Sequence, residues 1–235
     1  MGTPLNRLID HTLLAPTATT ADVARLCEEA RSYDFFAVCV NSAWVTTAVA
    51  ALAGTTTRVA AVVGFPLGAQ LPAAKAAEAK LALQAGATEI DMVIALGPLL
   101  TGDDAYVHYD IATVVAAAKA ARTTAVVKVI LETAALTDEQ IVHACELARE
   151  GGADFVKTST GFLDPKLALP GRPTGATTEA VSLMRRTLGD TLGVKASGGI
   201  STREQAEALV AAGATRLGTS RSLALVEGYL FQDIL

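Results

Sequence analysis

The chain has 235 residues, of which 51% are hydrophobic and 18% are charged, with 19 Lys and Arg against 24 Asp and Glu. This composition excludes a disordered chain, and the acidic balance excludes the broad basic surface that dominates binding to nucleic acid. The chain is long enough to bury a large core, and we expect one domain over residues 1–235.

Cysteine spacing and the N-terminal segment indicate the compartment in which the protein works. Cys27, Cys39 and Cys145 form no C-x-x-C pair and no cluster with histidine, which argues against a disulfide framework and against a zinc site. The N-terminal segment lacks the apolar run of a secretory signal, and the uncharged stretch 35–57 is too polar for a membrane span. We therefore expect a cytoplasmic protein that binds no metal and no membrane.

Short β-rich runs alternate with alanine-rich helical stretches, which is typical of a parallel sheet. After a first strand at 8–11, strands are predicted at 35–40, 58–63, 89–94, 126–131, 154–159, 193–197 and 216–218, and helices at 20–32, 42–52, 70–84, 104–121, 138–149, 177–188 and 202–212. Glycine turns recur before three strands, and this repetition of one αβ unit favours a closed eight-stranded TIM barrel. The alternative is an open doubly wound sheet, which is disfavoured because no G-x-G-x-x-G follows the first strand.

Charged residues stand on four of the predicted strands, where both faces are normally apolar. Alternation turns Asp91, Lys128 and Lys195 into the barrel interior. The side of Lys157 is less clear, because Phe155 shares its face. One aspartate cannot neutralise three lysines, so we expect at least one amine with a lowered pKa, able to attack a carbonyl and form an imine. A salt bridge of Asp91 with Lys128 that only supports the barrel stays open as an alternative.

Two glycine-rich loops follow the seventh and eighth predicted strands. Residues 197–201 are Ser-Gly-Gly-Ile-Ser, and residues 218–222 are Gly-Thr-Ser-Arg-Ser. Backbone N–H groups in such loops favour an anion, and TIM barrels often hold a phosphate at this place. Arg221 could add a bidentate contact. Each loop taken alone is also compatible with an ordinary tight turn.

Six motifs that span almost the whole chain carry a family resemblance. They are IDHTLL at 9–14, VCVN at 38–41, EIDMV at 89–93, KVILET at 128–133, KTSTGF at 157–162 and VKASGGI at 194–200. Together they resemble the deoxyribose-phosphate aldolase family of class I aldolases. The resemblance implies a TIM barrel without metal or organic cofactor. It also implies reversible cleavage of 2-deoxy-D-ribose 5-phosphate to D-glyceraldehyde 3-phosphate and acetaldehyde.

The resemblance also implies a role for individual residues. Lys157 would form the imine, Lys195 would be the neighbouring amine that lowers the pKa of Lys157 and assists proton transfer, and Asp91 would relay protons. Substrate contacts are expected from Asp10, Thr12, Lys128 and Thr158, and phosphate contacts from Gly161, Gly198, Gly199, Gly218 and Ser220. Many members carry an arginine where Ser201 stands here, and we hypothesise that Arg221 replaces that cation.

Further departures from the family concern a loop and the C-terminus. The segment 163–175 contains three prolines and is longer than usual, so we expect a lid over the site. Members often end in a tyrosine that reaches the substrate, whereas this chain ends in Leu235 and has Tyr229 instead, which leaves the role of Tyr229 open. A homo-oligomer, either a dimer or a tetramer, is expected.

Two other functions stay open. Another lysine-imine barrel would act on a phosphorylated keto-sugar or keto-acid, and would form an imine with pyruvate or a ketose but not with acetaldehyde. A barrel that binds a sugar phosphate without turning it over would need neither lysine. The intact Lys157, Lys195 and Asp91 disfavour this second alternative.

Overall fold

The computed structural model describes residues 3–226, and their eight strands form one closed parallel barrel. The strands are β1 (Ile9–Leu13), β2 (Ala37–Val40), β3 (Arg58–Val63), β4 (Glu89–Val93), β5 (Val126–Ile130), β6 (Phe155–Lys157), β7 (Gly193–Ser197) and β8 (Arg216–Thr219). Each strand pairs with the next along the chain, and β8 closes the ring on β1, where Asp10 lies opposite Gly218. The predicted single-domain TIM barrel is confirmed.

Helices follow the strands and cover the outside of the barrel. They are α1 (Thr20–Ser32), α2 (Val45–Ala51), α3 (Pro72–Gln84), α4 (Leu96–Thr101), α5 (Asp104–Ala121), α6 (Asp138–Glu150), α7 (Thr178–Leu188), α8 (Arg203–Ala211) and α9 (Ser222–Val226). The threonines before α1, α6 and α8 each form a capping box, which satisfies free N–H groups of the first turn. The sequence did not predict α4 and α9, because segments of 6 and 5 residues contain too few periodic positions. None of the helices within residues 3–226 has both the length and the apolar composition needed to cross a membrane.

The main apolar core lies between the barrel and its helices. On β4, Ile90 and Met92 face outward into this core and are fully buried. Truncation of such a residue to alanine typically costs about 2–5 kcal/mol of unfolding free energy. The alternate residues Glu89 and Asp91 therefore face the barrel interior, as the sequence predicted. Inside the barrel, a smaller apolar cluster covers the side of β2 and β3 and consists of Leu14, Cys39, Ala60 and Val62.

Candidate active site

Six charged side chains fill the opposite side of the barrel interior, and we name them the charged cluster. They are Asp10, Glu89, Asp91, Lys128, Lys195 and Arg216, and each is at most 5% exposed. From the sequence we counted one carboxylate against three amines in the interior, and this count was wrong. Asp10 and Glu89 join Asp91, and Arg216 adds a cation to the three lysines.

Lys128 lies at the centre of the charged cluster. Its Nζ is 2.6 Å from Asp91 Oδ1 and 2.7 Å from Glu89 Oε2. Burial alone would lower the pKa of Lys128, but the attraction of Asp91 and Glu89 outweighs burial and raises the pKa, so this amine keeps its proton. Lys128 is fully buried and does not reach the cavity described below. The geometry favours the supporting salt bridge of Lys128 with Asp91, and a contact of Lys128 with substrate stays a prediction.

Asp10 connects β1 to β7 and β8. Its Oδ1 accepts a hydrogen bond of 2.8 Å from Arg216, and its Oδ2 accepts one from Lys195. Burial alone would raise the pKa of Asp10, but the surrounding cations outweigh burial and hold the pKa well below its usual range. Asp10 is fully buried beneath the cavity rather than in its wall. Its carboxylate pairs with Lys195 and Arg216, and a contact of Asp10 with substrate stays a prediction.

Arg216 and Glu89 form the end of the cluster that is farthest from the cavity. Each is the first residue of its strand, and Arg216 Nη1 lies 3.2 Å from Glu89 Oε2. The Arg216 guanidinium also lies over the Phe36 ring, with its Cζ 3.6 Å from the ring centroid. Ion pairing and cation–π contact together compensate for the burial of this charge.

Lys157 and Lys195 are neighbours on β6 and β7, where their Cα atoms are partners in the sheet register. Both donate to the same oxygen, Asp91 Oδ2, which is 2.9 Å from Lys157 Nζ and 2.8 Å from Lys195 Nζ. Burial alone would lower the pKa of Lys195, but Asp10 and Asp91 outweigh burial and raise it. The three lysines Lys128, Lys157 and Lys195 hold Asp91 itself ionised, because their charges outweigh burial and keep its pKa well below the usual range. The sequence thus placed both lysines and Asp91 correctly in one constellation.

A cavity of about 680 Å³ opens at the C-terminal ends of the strands, above the charged cluster. Its wall consists of residues 12–16 at the end of β1, Lys157 with residues 160–162 at the end of β6, residues 197–201 at the end of β7, and residues 218–221 at the end of β8. Of the three interior lysines, only Lys157 lines it. Thr12 also lines it, as predicted, and its hydroxyl donates to the carbonyl of Asp10 at 2.8 Å.

Thr158 lies on the other side of its strand. Its hydroxyl donates to the carbonyl of Ser197 at 3.0 Å and accepts from the N–H of Ser197 at 3.0 Å, which joins the ends of β6 and β7. The side chain is fully buried and does not line the cavity. The alternation that turns Lys157 inward turns this next residue outward, and a contact of Thr158 with substrate stays a prediction.

The residues predicted to hold phosphate all line the cavity. They are Gly161, Gly198, Gly199, Gly218, Ser220 and, by our hypothesis, Arg221. The first three glycines have φ values of +82°, +87° and +75°, a left-handed backbone that only glycine adopts readily. Such loops allow backbone N–H groups to approach an anion. Binding of a phosphate at this wall stays a prediction.

Gly218 meets a second requirement. A Cβ at this position would lie 3.0 Å from Cε of Lys195 and 3.0 Å from Cβ of Ser197. Glycine at this point of β8 therefore leaves room for the Lys195 side chain to reach Asp10 and Asp91.

The segment 163–175 does not form the expected lid. None of its residues lines the cavity. The N–H of Leu169 donates to the carbonyl of Ala134 at 2.8 Å, and Arg172 forms an ion pair with Asp138 at the start of α6. The segment therefore lies against the loop after β5 and against α6. Its length and its three prolines do not indicate which parts of the chain it contacts.

Glu132 and Thr160 were missed as site residues. Both stand in motifs quoted above, but nothing in the sequence shows that they meet. Glu132 is 4% exposed, and the hydroxyl of Thr160 at the cavity wall donates to its carboxylate. Burial raises the pKa of Glu132, an effect that the contacts with Thr160 and the charge of Lys157 only partly offset.

The remaining features concern Cys39, grouped His, Cys, Asp and Glu side chains, and Tyr229. Cys39 also faces the interior, and burial raises the pKa of its thiol, with a further contribution from the nearby Asp91. Within residues 3–226, no three His, Cys, Asp or Glu side chains are grouped so that they could hold a metal ion. Tyr229 lies outside the described residues.

Comparison with known proteins identifies similar chains over nearly the full length. The family model described as DeoC/LacD family aldolase matches residues 6–225. A deoxyribose-phosphate aldolase of Geobacillus sp. (strain WCH70) is 50% identical over 228 residues, which are 97% of this chain and 97% of that protein. One of Enterococcus faecalis (strain ATCC 700802 / V583) is 52% identical over 224 residues, or 95% and 96% of the two chains. The solved tetrameric deoxyribose phosphate aldolase of Aeropyrum pernix is 33% identical, with a TM-score of 0.85 over 98% of this chain and 92% of that chain.

Proposed function

The chain belongs to the DeoC/LacD family of aldolases, and from that premise we propose that Lys157 forms the imine through which it works. The protein is a class I aldolase that reversibly cleaves 2-deoxy-D-ribose 5-phosphate to D-glyceraldehyde 3-phosphate and acetaldehyde. One observation carries the assignment of the lysine. Lys157 is the interior lysine that reaches the cavity, and the protonated Lys195 lies beside it. This chemistry requires no metal or organic cofactor.

The imine provides the place to which electrons move when the carbon–carbon bond breaks. The neutral amine of Lys157 attacks C1 of the open-chain sugar, and loss of water gives a protonated imine. The electrons of the C2–C3 bond then move toward this imine while the C3 hydroxyl loses its proton, and D-glyceraldehyde 3-phosphate leaves. The two remaining carbons form an enamine. Protonation at C2 and addition of water release acetaldehyde and restore Lys157.

We assign the movement of protons to Lys195 and Asp91. Asp91 Oδ2 accepts from both amines, at 2.9 Å from Lys157 and 2.8 Å from Lys195, so one oxygen connects them. Lys195 carries a proton, because Asp10 and Asp91 raise its pKa, and its Nζ lies on the same Asp91 oxygen as Lys157 Nζ. Proton transfer by a positioned group contributes about 10²–10⁴-fold to such reactions.

The phosphate is assigned to the glycine-rich part of the cavity wall. Gly161, Gly198 and Gly199 give three left-handed turns without side chains, and Gly218 and Ser220 continue the wall on β8. Arg221 supplies the cation, and Thr12 on the neighbouring β1 lines the same cavity. Lys157 and the phosphate loops would then bind the two ends of a five-carbon chain.

We also propose that residues 1–235 form a single domain, that the protein is cytoplasmic and that it forms a homo-oligomer. The tetramer of Aeropyrum pernix supports the oligomer. The three cysteines of the described residues are buried and unbridged, which fits a reducing compartment. Light scattering coupled to size-exclusion chromatography measures the oligomeric state.

Trapping of the imine tests the proposed function. The protein is incubated with acetaldehyde, reduced with borohydride and digested, and the modified peptide is located by mass spectrometry. We expect a two-carbon adduct on Lys157, absent from Lys157→Ala and retained in Lys119→Ala, whose amine pairs with Asp154 outside the barrel interior. An adduct on Lys128, or none, would contradict the assignment. Trapping with pyruvate and not with acetaldehyde would instead support a keto-acid aldolase.

A further inference from the structure

Glu132 is a buried acid behind the cavity wall that the reaction steps above do not use. It follows β5, and its carboxylate faces the loop after β6. The N–H of Thr160 donates to it at 3.2 Å from Oε2 and 3.4 Å from Oε1, and the hydroxyl of Thr160 donates to Oε2. Thr160 lines the cavity with Lys157 and Gly161. Glu132 is therefore one hydrogen bond away from the space that the substrate occupies.

The hydrogen bonds of Thr160 decide what its hydroxyl can offer to a substrate. A hydroxyl has one proton to donate and two lone pairs that accept. The proton is used by Glu132, and one lone pair accepts the N–H of Phe162 at 3.0 Å. One lone pair remains. Toward the cavity, Thr160 can therefore accept a hydrogen bond but cannot donate one.

The backbone at Glu132 is held in an uncommon conformation. Its φ of +61° and ψ of +58° are left-handed, which a residue with a Cβ adopts only where the surroundings enforce it. The next residue is fixed to the segment after the neighbouring β6, because the N–H of Thr133 donates to the carbonyl of Thr158 at 2.9 Å. This conformation directs the Glu132 carboxylate at both donors of Thr160, its N–H and its hydroxyl.

We infer that Glu132 is a positioning residue that makes Thr160 a pure hydrogen-bond acceptor, and that it thereby selects acceptor aldehydes with a hydroxyl next to the aldehyde carbon. The inference rests on the proposed function and deepens it. In the chain, Thr160 stands between the lysine that binds C1 and the glycine at the start of the phosphate wall. The hydroxyl of D-glyceraldehyde 3-phosphate beside its aldehyde is a donor that would lie between these two ends.

A pair of matched acceptors tests the inference in the direction of synthesis. Acetaldehyde is condensed with D-glyceraldehyde 3-phosphate or with 3-oxopropyl phosphate, which has the same length and phosphate but lacks the hydroxyl. We expect wild type to prefer the first acceptor in kcat/KM. In Glu132→Gln this preference should fall about 3- to 10-fold, the size of one net hydrogen bond, because a carboxamide no longer forces Thr160 to donate. Glu146→Gln, an exposed change on α6, is the matched control.

Variants at Thr160 separate positioning from general support of the fold. Thr160→Val should lose the preference, Thr160→Ser should keep it, and Glu132→Gln added to Thr160→Val should cause no further loss. If Glu132→Gln lowers kcat/KM for both acceptors equally, Glu132 has only a structural role and the inference is overturned. A wild type that shows no preference overturns it as well.

A second variant keeps the test decisive if Glu132→Gln does not fold. Asparagine tolerates a left-handed backbone but is too short to reach Thr160, so Glu132→Asn should show the same loss of preference. An unchanged preference in this variant contradicts the inference. Failure of the proposed function gives a different result from failure of this inference. If the proposed function is wrong, the wild type forms no acetaldehyde adduct on Lys157 and condenses neither acceptor, so no preference can be measured.

Discussion

Lys157 and Lys195 lie side by side on β6 and β7 and share a single oxygen of Asp91. Lys195 is enclosed by carboxylates and fully buried, whereas Lys157 lines the cavity. Asp91 therefore connects Lys157, which we propose as the reacting amine, to the buried Lys195 through two hydrogen bonds. The buried cluster below keeps this geometry fixed, because every cation in it is paired.

The Lys195 ammonium should be required for turnover. We expect Lys195→Met to lower kcat/KM about 10²–10⁴-fold in the folded fraction, because the positioned proton donor beside Lys157 is lost. Circular dichroism measures the folded fraction, and Lys119→Met on the outer surface is the control. A decrease of less than about 3-fold would contradict the relay, given the usual size of such contributions.

Gly218→Ala should impair catalysis through Lys195. The added Cβ would lie 3.0 Å from Cε of Lys195, which must then move away from Asp91. We expect a fall in kcat for 2-deoxy-D-ribose 5-phosphate and for unphosphorylated 2-deoxy-D-ribose alike. Loss with the phosphorylated sugar alone would assign Gly218 to phosphate binding instead.

Arg221→Ala should weaken binding of the phosphate. Arg221 lines the cavity and is solvent-exposed, so we expect KM for the phosphorylated sugar to rise about tenfold with kcat little changed, as for the loss of one charged hydrogen bond. The same variant should leave KM for unphosphorylated 2-deoxy-D-ribose unaltered. Arg25→Ala on α1, an exposed arginine paired with Asp22, is the control. An unchanged KM in Arg221→Ala would show that another group binds the phosphate.

Arg216 should contribute to stability rather than to catalysis. Arg216→Met removes a positive charge that pairs with the buried carboxylates of Asp10 and Glu89. We therefore expect a loss of about 3–5 kcal/mol of unfolding free energy in urea titrations. Arg203→Met changes a surface ion pair with Glu207 and should cost about 0–1 kcal/mol. Similar losses in the two variants would mean that Arg216 is not needed for charge balance.

Acid should destabilise the protein through the charged cluster. The native pKa values of Asp10, Glu89 and Asp91 are lowered, because nearby cations outweigh burial. Their stabilisation is complete above the unfolded pKa values of about 4, and it is lost as the pH falls below them. We expect the urea midpoint to fall steeply below about pH 4.5, and less steeply in Asp10→Asn, which takes up one proton fewer on unfolding. A midpoint that stays constant from about pH 5 to pH 3 would refute this account.

Alternation along the strands predicted part of the site. It turned Asp91 and Lys195 inward, because their apolar neighbours along the strand must face the helices. The charged residues are then left on the inner face of the barrel. It also turned Glu89 inward, but its partner Arg216 is 127 residues away and could not be identified. The motif containing Thr158 did not indicate that its hydroxyl bonds to the carbonyl of Ser197 on the neighbouring strand.

The order of strands, the closed barrel, the inward face of β4 and the glycine-rich wall followed from the amino-acid sequence alone, since each depends on local periodicity and on residues close together in the chain. Which charges meet was decided by the tertiary structure. Closing the ring places Asp10 beside Arg216, 206 residues later, and gives Lys195 two carboxylates while Lys157 keeps one. Ionic contacts depend on distances of a few ångströms in space and not on separation along the chain. Only the folded barrel therefore shows that Lys157 faces the cavity while Lys195 is enclosed by carboxylates.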